Sequence, residues 1–288
     1  MRKILIIYNK TAGNQTGIES VKKFIKRLED ENIEYTLEKS NSIDEIKYAY
    51  PNKKNVDYTD VVMCGGDGTI NKTVNVFHDR DVVFGVIPIG SGNDFIKTAY
   101  GKTENEDMIE KIIKREVQEI DLIKANDMYF INALGMGIDS QTMMYQPYFN
   151  KHLNPKTAYR IAAFLALLTY RPKTAKIYID DELLNLKTHI IIVANGKYIG
   201  GGMKISPESE MCDGKFEIMM LKKTDFFSLI NVFMKLFKGK HLDNKNVIYK
   251  SAKSVSISMD NQCFQAEGDL SGWTPLKISY DKKIKFIK

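Results

Sequence analysis

The sequence predicts two domains of different class: an N-terminal α/β domain with a Rossmann-like parallel sheet, then a mainly antiparallel β-sandwich domain with inserted helices. Three observations predict this. Apolar runs alternate with segments of helical period as far as about residue 115. Glycine-rich or small-polar turns follow three of those runs directly. Beyond Val117 the runs instead pair around short polar turns, as hairpins do. A length of 288 residues agrees with two domains of about 150 residues each. The expected division is 1–120 and 121–288, with the last strand able to return to the first domain.

Each element has its own signal. Lys3–Asn9 (KILIIYN) is a continuous apolar run, as in a strand buried on both faces. Ile18, Val21, Ile25 and Leu28 recur at helical spacing. Glu34–Glu38 reads as a short strand and Asp44–Tyr50 as a short helix. Asp60–Cys64 (DVVMC) is another buried strand, and a helix carrying Ile70, Val74 and Phe77 follows its GGDGT turn. Val82–Ile87 is a further strand, and two helical stretches run from Gly90 to about Arg115. Such alternation requires right-handed crossovers, hence a parallel sheet. In the second half, Gln118–Lys124 and Met128–Ala133 form an expected hairpin turning at Asn126-Asp127. Lys173–Ile179 and Leu186–Ala194 flank the turn Asp180-Asp181-Glu182. Lys215–Leu221, Ser254–Met259, Phe264–Ala266 and Leu276–Tyr280 are further strands, and helices are expected over Lys156–Thr169 and Asp225–Lys238.

Charge is distributed unevenly. The 42 Lys and Arg against 36 Asp and Glu leave a formal net charge of +6. Residues 140–179 contain no acid but hold Lys151, Lys156, Arg160, Arg171, Lys173 and Lys176, interleaved with aromatic and methionine side chains. That pattern suits peripheral contact with an anionic membrane surface. A solvated basic face over a packed apolar one is the plainer alternative. The apolar runs fall well short of the roughly 20 residues of a spanning helix. No signal-peptide core of about 7–15 apolar residues is seen, and nothing resembles a nucleic-acid-binding motif. Cys64, Cys212 and Cys263 lack metal or redox spacing, so reduced thiols in the cytoplasm are expected.

Three loops carry the chemistry. Gly65-Gly66-Asp67-Gly68-Thr69 lies between a buried strand and a helix. Glycines let backbone amides approach a bulky anion, and the helix N-terminus adds partial positive charge. An acid in such a cradle makes sense if a metal–phosphate complex binds; a plain turn with Asp67 as N-cap is the other reading. Gly90-Ser91-Gly92-Asn93-Asp94 repeats the design after the next strand, and Asn9-Lys10-Thr11-Ala12-Gly13 ends the first. All three fall at the carboxyl edge of the expected sheet, where such sheets bind ligands.

The set of segments YNKTAG at 8–13, GGDGTIN at 65–71, IPIGSGNDF at 87–95, EID at 119–121, FINALGMGID at 130–139, ANGKYIGGGMKISPESEMCDG at 194–214 and QAEGD at 265–269 resembles the diacylglycerol kinase catalytic family, in particular soluble bacterial lipid kinases. NAD kinases share the GGDG loop but lack GSGNDF, so an NAD-kinase-like soluble enzyme is the weaker alternative. The resemblance implies ATP as phosphoryl donor, magnesium, and a lipid alcohol as acceptor, with diacylglycerol the expected one. It places ATP against Asn9, Lys10, Thr11, Ala12, Gly13 and Ser40, and against Gly65, Gly66, Asp67, Gly68, Thr69, Ile70, Asn71 and Ser91. Asp67 would help hold Mg-ATP, and Asp121 would join a network with water and magnesium at an interdomain cleft. Glu210, Asp213 and Lys215 would hold a structural magnesium, Asp213 by its carboxylate and the others through main-chain carbonyls. The resemblance also makes a homodimer plausible.

Asp269 matches the acid proposed to accept the lipid hydroxyl proton. The family commonly reads Asp-Gly-Glu where this chain reads Glu267-Gly268-Asp269. Asp reaches about 1.5 Å less than Glu, one C–C bond, and misplacement of that order costs about 10²-fold in rate. Either the base position has adjusted, or Glu267 has taken part of the role, or activity is lost, which leaves a non-catalytic nucleotide- and lipid-binding relative as the alternative. Gly200-Gly201-Gly202 is expected either as a mobile loop near the lipid entrance or as a bulge without substrate contact.

Overall fold

The computed structural model describes residues 2–12, 15–41, 45 and 57–288. Gly13 and, apart from residue 45, the helix expected at 44–50 fall outside this described set. The chain divides into one unit of residues 1–120 with 283–288 and a second of residues 121–282.

The first unit is a parallel sheet with helices. Strand β1 (Lys3–Asn9) lies between β2 (Glu34–Ser40) and β3 (Asp60–Gly65), and β3 pairs with β4 (Val83–Pro88). The end of the last strand, β15 (Leu276–Ile287), adds to β4, with Lys285 opposite Val83 and Phe286 opposite Phe84. Phe286 packs on Phe84 and Phe95 with ring centroids 5.3 and 5.1 Å away, which fixes this strand in the core. Helices α1 (Gln15–Asp30), α2 (Asp67–Phe77), α3 (Asp94–Ala99) and α4 (Asn105–Lys114) complete the unit. Phe24 and Leu28 of α1 and Ile112 of α4 bury against Ile4, Ile6, Val62 and Ile87. These strands are apolar at nearly every position because both faces are covered. Buried Asp60 at the start of β3 is paired with Arg2 and Arg115 at 3.3 and 2.9 Å, as a buried charge requires.

The second unit is antiparallel. β5 (Val117–Ala125) and β6 (Met128–Phe130) turn at Asn126, whose φ is +49°. β7 (Ala133–Gly137) pairs with β9 (Glu182–Ala194), which also pairs with β8 (Lys173–Ile179) and β10 (Phe216–Lys222). β11 (Val247–Ala252) borders β10; β12 (Ser254–Met259) lies between β8 and β15; β13 (Cys263–Ala266) lies between β7 and β14 (Asp269–Trp273). Ile191 and Val193 of β9 point into one core with Phe216 and Ile218. Their neighbours Ile190 and Ile192 face the other way, toward helices. Those helices are α5 (Ile138–Asn150), α6 (Pro155–Thr169) and α7 (Phe226–Leu236). Among the described residues, no helix is long and apolar enough to cross a membrane.

Several elements differ from expectation. Helix α5 was not anticipated: its apolar pattern is weak and it contains Pro147. The hairpin strand expected to reach Ala133 is broken at 131–132 into β6 and β7, and β9 starts four residues earlier than Leu186. β14 escaped the sequence reading because it is an exposed edge carrying Gly272. β15 runs on to Ile287, well past Tyr280.

Candidate functional site

The parallel register sets the ends of four strands level. Asn9 is opposite Ser40, Tyr8 opposite Cys64, and Gly65 opposite Pro88. The loops that follow therefore share one edge of the sheet. Buried Asn9 donates its side-chain amide to Thr69 Oγ1 at 3.1 Å and accepts the backbone N–H of Thr11 at 3.0 Å. The Lys10 amide donates to the Ser40 carbonyl at 2.9 Å. These bonds together tie down five of the expected nucleotide-binding residues, Asn9, Lys10, Thr11, Ser40 and Thr69. Ser91 is exposed on its loop, and Ala12 is half-buried. Ile70 and Asn71 are buried in α2, and the Ile70 amide donates to the Gly66 carbonyl at 3.1 Å.

The two glycine loops touch backbone to backbone. A Cβ on Gly66 would lie 3.1 Å from the Gly90 Cα, and one on Gly90 would overlap the Gly66 Cα. A Cβ on Gly65 would overlap the Thr69 side chain. Only glycine permits this approach. Gly66 is the N-cap of α2, and no side chain caps that helix. The first-turn amides of α2 therefore remain available to an anion.

Asp67 does not cap its own helix. Its carboxylate accepts the backbone amides of Asp94 and Phe95, at 3.1 and 3.0 Å, and so caps α3 from across the loop. Buried Asp94 is 3.0 Å from Lys97 Nζ. Burial and the neighbouring Asp94 carboxylate push the Asp67 pKa above its ordinary value, and the two amides oppose that rise. Asp94, not singled out from sequence, is thus a partner of the expected Asp67.

In the second unit, fully buried Asp121 accepts the Gly214 amide at 2.7 Å, and its own amide donates to the Met211 carbonyl at 2.7 Å. It thereby holds both ends of the 211–214 loop. Within that loop Asp213 accepts the Lys215 amide at 3.0 Å, and Glu210, Asp213 and Lys215 are all exposed. Among the described residues no group of three or more acidic, His or Cys side chains is placed to hold a metal.

The acids of the late turn have different surroundings. Glu267 Oε1 accepts the amides of Ile131 and Asn132 at 3.1 and 2.7 Å. Glu267 and Gly268 both have positive φ, +53° and +89°, which throws the chain into a sharp turn. Asp269 follows it, exposed at the start of β14. Buried Gln265 accepts the Gly268 amide at 2.8 Å and donates to the Asp139 carboxylate. Burial raises the Asp139 pKa to about 6. Asn132 and Asn195 complete the support. Asn195 donates to the carbonyls of Asp121 and Ile131 at 3.1 and 2.8 Å, and Asn132 donates to that of Tyr198 at 3.0 Å. Neither asparagine was singled out from sequence, although both lie in the recognised segments.

An apolar cavity lies over the helix-covered face of β9 and β10. Its empty volume is about 500 Å³, counting its open mouth. Ile190, Met219 and Leu221 form its floor; α6 contributes Ala163 and Leu167, and α7 contributes Val232 and Leu236. Asp139, Thr142 and Tyr159 are the lining residues with polar side-chain atoms. Ile199 and Met203 also line it and bridge to each other around Gly200-Gly201-Gly202, whose φ values are all positive. A Cβ on Gly200 would overlap the Tyr159 hydroxyl. The triple glycine is therefore a tight turn in the cavity wall.

The paired glycine loops thus stand at one edge of a parallel sheet, and an antiparallel unit with an apolar cavity follows in the same chain. The diacylglycerol kinase catalytic domain pattern matches residues 3–125, and the YegS C-terminal NAD kinase β-sandwich-like domain pattern matches residues 132–284. This chain belongs to the diacylglycerol kinase family with a YegS-type C-terminal domain, and it is a lipid kinase of that family. A diacylglycerol kinase of Bacillus subtilis is 27% identical over 281 residues, covering 96% of this chain and 92% of that protein. One from Staphylococcus saprophyticus is 25% identical, covering 95% and 91%. A crystal structure of a diacylglycerol kinase from Bacillus anthracis superposes with a TM-score of 0.75 at 20% identity, covering 99% of this chain and 96% of that one. That likeness bears on the fold.

Proposed function

We propose that this lipid kinase transfers the γ-phosphoryl group of magnesium-bound ATP to the hydroxyl of diacylglycerol, giving phosphatidic acid. The observation that carries the choice of acceptor is the apolar cavity, whose lining is almost wholly aliphatic and aromatic. Such a lining suits acyl chains and leaves few groups to recognise a polar acceptor.

The residues fit the donor. The Gly65, Gly66 and Gly90 backbone leaves the space that a Cβ would fill, and the uncapped N-terminus of α2 offers amides to phosphate oxygens. Asp67 and Asp94, both within 4 Å of one point beside Gly92, repel each other, and a divalent cation there would relieve that repulsion. Asp213 with main-chain carbonyls at 210 and 215 offers the oxygen donors that magnesium takes. Bound Mg-ATP supplies the phosphoryl group and spreads its charge.

Asp269 receives the proton as the acceptor oxygen forms its bond to phosphorus. Glu267, bound by two amides, holds the turn that presents Asp269. The enzyme works at the cytoplasmic membrane surface, where its acceptor resides. The test is incubation of pure protein with labelled ATP, magnesium and diacylglycerol in mixed micelles. Labelled phosphatidic acid is expected. Absence of any labelled lipid from diacylglycerol, sphingoid or polyprenol acceptors would overturn the reading.

A further inference from the structure

Helices α6 and α7 are apolar on both faces. On α6, Ala158, Ala162 and Ala166 pack inward, while Ile161, Phe164 and Leu168 are 39, 57 and 49% exposed. Positions 161, 164 and 168 fall on one outward stripe at helical spacing. On α7, Leu229, Val232 and Leu236 are buried, while Phe227 and Met234 are 84 and 64% exposed, and Phe237 at its C-cap is 54% exposed. Leu167 of α6 and Val232 of α7 belong to one buried cluster, and both helices line the cavity over β9 and β10. Single exposed apolar residues are ordinary, but a repeated outward set on two helices that cover the same cavity marks an interaction surface.

The charge around this surface selects the partner. Residues 140–179 contain no acid, and neither do residues 226–242. Lys151 precedes α6 and Arg160 lies on it, both exposed, and Lys238 and Lys240 follow α7. Not every cation of the basic segment belongs here. Lys173 Nζ donates to the main-chain carbonyls of Asp260 and Asn261, and Lys176 stands 5.3 Å from the Tyr178 ring on β8. The inner faces of the same two helices line the apolar cavity.

We infer that the outward faces of α6 and α7 form the membrane-docking surface of this enzyme, inserting Phe164, Leu168, Phe227 and Phe237 into an anionic leaflet while the flanking cations meet lipid headgroups. This rests on the reading of the enzyme as a lipid kinase with an apolar acceptor in the cavity. It narrows the contact expected from the whole 140–179 segment and adds α7 to it. Apolar insertion and cation attraction act together at such interfaces.

The test separates docking from catalysis. Binding of the full-length protein to phosphatidylglycerol-containing vesicles is measured by co-sedimentation without ATP. Turnover is measured on a short-chain diacylglycerol below its critical micelle concentration. Phe164→Ser with Phe227→Ser is expected to weaken vesicle binding at least tenfold, steeply with salt for the remaining attraction, and to leave turnover of the monomeric acceptor within about twofold. Vesicles of phosphatidylcholine alone are expected to bind the parent protein at least tenfold more weakly. Unchanged vesicle binding by the double variant would overturn the inference. So would loss of a self-associated form in the variant with vesicle binding intact, which would assign the face to a second copy of the chain. If the parent protein binds vesicles through this face but phosphorylates no lipid, the catalytic reading fails and the docking surface stands.

Discussion

Glu267 accepts the backbone amide of Asn132 at 2.7 Å, so one acid of the late turn is committed to holding the chain. Its neighbour two residues on, Asp269, is exposed. Under the proposed mechanism the exchanged acids divide into an anchor, Glu267, and a base, Asp269.

This division has a measurable consequence. Glu267→Gln keeps an oxygen that can accept both amides, so kcat is expected to fall less than about tenfold. Glu267→Ala leaves two amides without their acceptor, at about 1–3 kcal/mol of stability, and loosens the turn enough for a kcat loss of about 10²-fold. Asp269→Asn removes the base and is expected to lower kcat by about 10²–10⁴-fold with KM little changed. Steady-state kinetics on the three variants checks this. Equal losses for Glu267→Gln and Asp269→Asn would make Glu267 part of the chemistry.

The contact between glycine loops gives a second expectation. In Gly90→Ala the new methyl group meets the Gly66 backbone, which cannot rotate away as a side chain would. ATP binding measured by calorimetry is expected to weaken at least tenfold. Gly101→Ala is the control: nothing lies within 4 Å of its Cβ position, and its φ of +70° makes the change strained but local, at about 1–2 kcal/mol. ATP affinity should survive in that variant. Equal affinity in both variants would remove the loop contact from nucleotide binding.

Asp121 invites a different measurement. Its carboxylate holds the Gly214 amide, and its backbone holds the Met211 carbonyl. Asp121→Ala is expected to speed hydrogen exchange at Gly214 and to cost about 1–3 kcal/mol. Asp121→Asn retains an acceptor and should keep the amide protected. If activity falls in Asp121→Asn while protection persists, the negative charge itself is required, beyond loop support.

The sequence made the parallel half legible because strands covered on both faces leave unbroken apolar runs, as KILIIYN and DVVMC show. The glycine loops were legible because close backbone approach admits one residue type. The positions supporting the site were harder to see. Asn132, Asn195 and Gln265 act through contacts with residues 64, 66, 74 and 126 positions away, and no local period encodes such pairings. The same holds for Asp67, whose expected role toward metal gave no hint that it also caps α3. Helix α5 was hidden by Pro147, and the cation count of 140–179 obscured that Lys173 bonds main-chain carbonyls.

Asp139 gives the pH-dependent expectation. It is buried, and burial raises its pKa from 3.8 to about 6 in the folded protein, with Gln265 donating the opposing hydrogen bond. Below pH 3.8 the acid is protonated whether the chain is folded or not, so it contributes no pH dependence. Between pH 3.8 and about 6 the folded state keeps a proton that the unfolded chain releases, so stability falls as pH rises. Above about 6 both states are ionised and the penalty is constant, on the order of 3 kcal/mol. Asp139→Asn removes the titration while leaving an oxygen to accept from Gln265. Any constant cost of burying the extra amide cancels when the variant and parent are compared at two pH values. Denaturant unfolding at pH 4 and pH 7.5 is therefore expected to show the variant gaining about 2 kcal/mol relative to the parent across that interval. A difference between the two proteins that does not change with pH would mean that Asp139 is already ionised at pH 4 in the folded enzyme, and that the cavity wall beside it is wetter than its burial indicates.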